Sequence, residues 1–189
     1  MEPVTLRTAR LELSAPRAED VDAVYAACQD PDIQRYTRVP SPYAREDAEK
    51  FIDAVAEQWA GELHRTWVIR DGATLVGTIG FYRLDGQGNG EIGYWIAPDQ
   101  RGGGRLREAA NAAIDWAFSS DGAGLTRIEW RAVVGNIPSA RAARTLGFRF
   151  EGTLRQALRN GSGARDDGWI AGLLAADDRA PQPWLVLDH

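Results

Sequence analysis

Residues Arg101-Gly102-Gly103-Gly104-Arg105-Leu106 constrain the fold most, because of what flanks them. Glu91-Ile92-Gly93-Tyr94-Trp95-Ile96-Ala97-Pro98 before them reads as a strand closed by proline, and Arg107 to Phe118 after them as an amphipathic helix. Strand, glycine turn and helix together aim backbone N–H groups and a helix N-terminus at one point, which is an anion site. Arg105 and Arg107 fall in the first helical turn, where the macrodipole disfavours cations. Phosphates held in the loop would account for that placement; an ordinary flexible connection is the plainer account. The spacing is neither that of a P-loop nor that of a dinucleotide fingerprint, since the glycines are contiguous and no second βαβ unit follows.

A second pattern lies at Asn136-Ile137-Pro138-Ser139, running through Thr145-Leu146-Gly147-Phe148. It follows Arg127 to Val134, which alternates as a strand does. Locally it is a helix start, with Gly147 as the helix-ending glycine. Ser139 is then either a cap or a functional hydroxyl.

Together these residues resemble the GNAT superfamily of N-acetyltransferases. The loop is similar to that family's pyrophosphate loop, with Arg101 in the Gln/Arg position and Gly104 as the central glycine. Leu106 departs from it, standing where the family has alanine or glycine, and is expected to crowd the cofactor. The Asn136 stretch resembles the family's N-x-x-S motif ending in L-G-F. With Glu91-Ile92-Gly93-Tyr94-Trp95 added, the match looks most like the Rim-type branch, which acetylates amino termini of ribosomal proteins. It extends from Leu6 to about Leu174.

The resemblance implies an α+β fold, with a mixed, mainly antiparallel sheet of six to seven strands and helices on both faces. The chain's own pattern agrees. A strand at Leu11–Ser14 precedes helices over Ala18–Gln29 and Glu46–Trp59, with a break at Asp30-Pro31. A hairpin turns at Asp71-Gly72, and late strands span about Phe148–Leu158 and Trp169–Leu174. Residues 1–175 form one domain and 176–189 a C-terminal tail. Trp184-Leu185-Val186-Leu187 is too apolar to be left in water, so the segment from Pro181 to His189 is expected to pack on its own surface or on a second subunit, as in a homodimer.

The resemblance also implies acetyl-CoA as co-substrate, with no metal. The backbone N–H groups of Gly102, Gly103, Gly104 and Leu106 would hold the pyrophosphate, with Arg101 and Arg105 adding charge. The edge of Trp95-Ile96-Ala97 would pair with the pantetheine arm as an added strand, and Asn136 would offer it a carboxamide. Trp95 lines the acyl pocket or is plain core. Ser139 is the acid for the departing thiolate. Some Rim-type members carry a glutamate after L-G-F, where this chain has Leu158; Glu91 is then the nearest base, with a water relay as rival.

The implied acceptor is a primary amine, most of all a protein or peptide amino terminus. A small amine, an aminoglycoside-like drug or a weakly active acetyl-CoA-binding module are the alternatives, for fold alone does not choose among them. The substrate arm is expected from Ile33–Tyr43 and the late hairpin. A net charge of −5 argues against a nucleic-acid partner and for a cationic one. No apolar run is long enough to span a bilayer, no secretory signal opens the chain, and the one cysteine, Cys28, reads as a buried thiol in a reducing cytoplasm. His64 is expected to be exposed, and His189 has no assigned role.

Overall fold

A computed structural model describes residues 2–61 and 64–187, so Asp188 and His189 of the tail lie outside the described residues. Thirteen elements follow one another: β1 (Leu6–Arg7), β2 (Leu11–Ser14), α1 (Val21–Ala27), α2 (Pro31–Tyr36), α3 (Arg45–Ala60), β3 (Arg65–Asp71), β4 (Thr74–Tyr82), β5 (Asn89–Ile96), α4 (Arg105–Phe118), β6 (Arg127–Val133), α5 (Ile137–Thr145), β7 (Arg149–Arg159) and β8 (Arg165–Leu174). One eight-stranded sheet runs β1-β2-β3-β4-β5-β6-β8-β7. Its pairs are antiparallel except β5–β6.

The eighth strand is β1, whose two residues pair with Leu13 and Glu12. Two residues cannot display a period, so alternation in the sequence predicts no more than seven strands. The second departure is α2. Asp30-Pro31 does end the preceding helix, but the Asp30 carboxylate accepts from the Ile33 N–H at 2.9 Å and Pro31 takes the first helical turn. The break is therefore also a helix start. The strand expected from Trp169 begins at Arg165, in a polar stretch without apolar alternation.

Strand alternation divides the core between two faces. On β3, Trp67 and Ile69 join the larger cluster with Ile114 of α4 and Ala140 of α5, while Val68 joins Val24 of α1 and Ala48 of α3. Buried between α1 and the sheet, Arg70 grips Asp20 through two bonds of 2.6 and 2.7 Å. Burial works to raise the Asp20 carboxyl, but the Arg70 guanidinium and the Arg17 N–H hold it below its usual range. Breaking such a buried pair costs about 3–5 kcal/mol. The tail crosses the α5 side of the sheet: Trp184 is fully buried, 5.5 Å from both the Trp130 and Phe150 rings, and its indole N–H donates to the Phe148 carbonyl at 3.0 Å. Leu185 stays largely exposed.

Candidate active site

The parallel pair β5–β6 holds its register only from Asn89/Arg127 to Ile92/Trp130. Beyond it β5 continues along β4, and β6 continues along β8. A wedge therefore opens in mid-sheet after Ile92. The Ala97 N–H donates to the Val76 carbonyl at 2.9 Å. By antiparallel alternation Trp95 and Ala97 turn their backbone groups toward β4, whereas Tyr94 and Ile96 turn theirs toward the wedge. Of the three residues expected to offer an edge, only Ile96 faces the opening, and Tyr94 joins it. Arg101 Nε already donates to the Ile96 carbonyl at 3.2 Å.

Ser139 stands at the mouth of this wedge. Asn136 is the helix cap, its side-chain oxygen accepting from the Ser139 N–H at 3.3 Å, so the Ser139 hydroxyl is not spent on the helix end. Its Oγ instead accepts from the Trp130 indole N–H at 3.0 Å and lies 3.2 Å from the Tyr94 hydroxyl. Burial pushes the Tyr94 phenol up to about 12, so it stays protonated at neutral pH. No sequence motif singles out the Tyr94 side chain. The available signal was its place on β5, one residue out of phase with Glu91.

The glycine loop has the shape its composition demands. Gly102 and Gly104 have φ of 85° and 72°, a region that disfavours side chains, and Gly104 starts α4 without a side-chain cap. The first-turn N–H groups of α4 are thus left to an incoming anion. The arginines are tied differently from the sequence expectation. Arg101 pairs with Asp30 at 2.7 Å and Arg105 with Asp71 at 3.0 Å. Arg10, which no local pattern marks, donates to the Gly103 carbonyl at 3.3 Å and pairs with Glu108. Leu106 is partly buried against the core and borders the same cavity.

That cavity, about 900 Å³, reaches from the loop past Ser139 to the opposite face of the sheet. There Glu91 pairs with Arg83 at 2.9 Å and with Arg131 at 3.6 Å. Leu158 is buried in the wall, as is the Cys28 thiol, pushed up to about 12 by burial and hence no nucleophile. Trp95 is half-buried against the α1/α3 cluster. His64 is half-buried in the cavity wall, 5.3 Å from the Tyr82 ring, rather than exposed. The two segments expected to form the substrate arm do meet. Arg35 on α2 holds Asp166 on β8 through bonds of 2.8 and 3.1 Å, and Gly161 of the late hairpin lies directly on the Val39 carbonyl.

A sheet wedged open beside a glycine loop at a helix start is the architecture of an acyl-CoA-dependent acyltransferase. The acetyltransferase (GNAT) domain model matches residues 10–149, and the chain belongs to that family of N-acetyltransferases. It is 32% identical over 161 residues to the uncharacterized N-acetyltransferase YoaA of Bacillus subtilis (strain 168), covering 83% of this chain and 90% of YoaA. Among solved structures it is similar in fold to RimL, a ribosomal α-N-protein acetyltransferase solved with coenzyme A. The TM-score is 0.80 at 20% identity, over 92% of this chain and 100% of that one. RimJ of Mycobacterium smegmatis, solved with CoA-disulfide, also gives 0.80, at 22% identity over 93% of this chain and 90% of RimJ.

Proposed function

We propose that the protein transfers the acetyl group of acetyl-CoA to the amino terminus of a protein or peptide, by direct attack with both substrates bound. The observation that carries this is the pair of hydroxyls, Ser139 and Tyr94, at the mouth of the β5–β6 wedge. The residues present suit a CoA thioester. The uncapped α4 start and the loop N–H groups suit a pyrophosphate. Arg101 and Arg105 retain N–H donors beyond those given to Asp30 and Asp71. The outward backbone groups of Tyr94 and Ile96 suit the amides of a pantetheine arm.

Acetyl-CoA supplies the acetyl group and a thiolate leaving group. A wedge-facing N–H of Tyr94 or Ile96 that the pantetheine arm leaves unpaired would polarise a thioester carbonyl. The acceptor amine forms the new C–N bond as the C–S bond breaks, and the electron pair leaves on sulfur. Ser139 Oγ gives that sulfur a proton, Tyr94 replaces it through their shared contact, and water entering as the products leave returns to Tyr94 the proton that Glu91 gives up. Glu91, on the acceptor face, takes the proton lost by the amine, directly or through water. The protein amino terminus as acceptor draws support from the likeness to RimL in fold. Thiol release from acetyl-CoA, measured with peptides, polyamines and aminoglycosides, tests the reading. Peptides with a free amino terminus are expected to release thiol and amino-blocked ones not to. Release with polyamines or aminoglycosides alone overturns it.

A further inference from the structure

The chain is acidic overall, with 27 Asp and Glu against 22 Lys and Arg. Its cavity has the opposite balance: seven basic residues and three acidic ones border it. Arg101 and Arg105 belong to the loop end, Arg83 is spent on Glu91, and Arg131 on Glu129 and Glu91. Arg38, Lys50 and Arg159 are left. Each is exposed, and none has a carboxylate within ion-pairing distance among the described residues.

These three come from segments far apart in sequence that the fold gathers at one rim. Arg38 precedes Val39, on whose carbonyl Gly161 lies, and Arg159 stands two residues before Gly161. Val39 and Phe51 pack against the same buried cluster, Lys50 precedes Phe51 on α3, and Arg38, Lys50 and Arg159 all border the cavity. The rim thus surrounds the acceptor end, remote in sequence from the glycine loop. Fixed cations there act twice on an incoming amine. They disfavour its ammonium form, which cannot attack, and they attract any anionic group attached to it.

We infer that the acceptor is an acidic amino-terminal segment, whose Asp or Glu side chains just after the reacting amine are received by Arg38, Lys50 and Arg159. This rests on the amino-terminal reading above and adds the charge of the acceptor. It reverses the expectation, drawn from net charge alone, of a cationic partner.

The test compares peptides that differ only in carrying acidic, neutral or basic residues after the free amino terminus. The acidic peptide is expected to exceed the basic one in kcat/KM by about tenfold or more, with the margin shrinking as salt is added. In the triple variant Arg38→Gln, Lys50→Gln, Arg159→Gln the acidic-to-basic ratio should fall to about one, with an unchanged melting temperature as the control for folding. Equal rates for the three peptides, faster basic peptides, or a ratio that survives the triple substitution would each overturn the inference. Should no peptide be acetylated, glutamate and spermidine separate the two readings. Faster glutamate, with the preference lost in the triple variant, supports an anion-selective rim and overturns the amino-terminal acceptor. Faster spermidine overturns both. If no amine turns over, calorimetry of the acidic peptide against the protein with CoA decides, and absent binding overturns the inference.

Discussion

The two ends of the cavity are built by different means. The loop end is made of backbone: glycines in left-handed conformations, an uncapped helix start and an unpaired strand edge, all between Tyr94 and Leu106. The far end, where we place the acceptor, is made of side chains from α2, α3 and the β7–β8 hairpin, held together by contacts such as Arg35–Asp166 across 131 residues of chain. A backbone site recognises an invariant ligand and tolerates sequence change around it. A side-chain site can change its ligand by a few substitutions without disturbing the first.

The sharpest test of that division is the group between the two ends. Ser139→Ala should lower turnover by 10²–10⁴-fold, as removal of a general acid does, with CoA affinity preserved and a still cooperative melt lowered by about 1–3 kcal/mol, the cost of leaving the Trp130 indole N–H without its acceptor. Because Asn136 supplies the cap, no loss at the helix end should add to it. Turnover within a few-fold of wild type would leave Ser139 a structural partner of Trp130.

Next in size, Gly104→Trp forces a side chain onto a residue with φ of 72° at the start of α4. Calorimetry is expected to show CoA affinity down by at least about 100-fold, with acceptor binding untouched; unaltered CoA affinity would break the comparison at its loop end. Gly161→Ala is its counterpart. A Cβ there runs into the Val39 backbone, so the hairpin must lift from the α2 segment. The acceptor KM should rise about tenfold with CoA affinity unchanged. A matched loss of CoA affinity would mean that the two ends are not independent. The smallest effect is expected at Leu106→Ala: CoA should bind as tightly or up to a few-fold more tightly, since the side chain borders the cavity and the residue's backbone does the holding. Clear weakening with an intact circular dichroism spectrum would make the Leu106 side chain part of the site.

The same division explains what was legible in the sequence. Local chemistry could be read directly: the glycine loop, the Asn136 helix start and the hairpin at Asp71-Gly72 each follow from residues a few positions apart. Most of the strands followed from alternation. What escaped was set by partners distant in sequence. Arg101 and Arg105 looked free for phosphates because nothing nearby announces Asp30 and Asp71. His64 looked exposed because Tyr82, the ring beside it, lies on another strand. The partnership of Tyr94 with Ser139 spans 45 residues, and β1 was too short to have a period. Net charge has a related limit: a whole-chain sum does not say which charges the fold gathers around a cavity.

Trp184 carries a consequence for biosynthesis. The indole of Trp130, which donates to Ser139, is backed by a residue encoded after every strand and helix of the domain. On a ribosome, where folding proceeds from the N-terminal side, β1 to β5 and the glycine loop can emerge while that backing is still untranslated. A nascent chain would therefore hold its glycine loop before the indole that donates to Ser139 gains its backing.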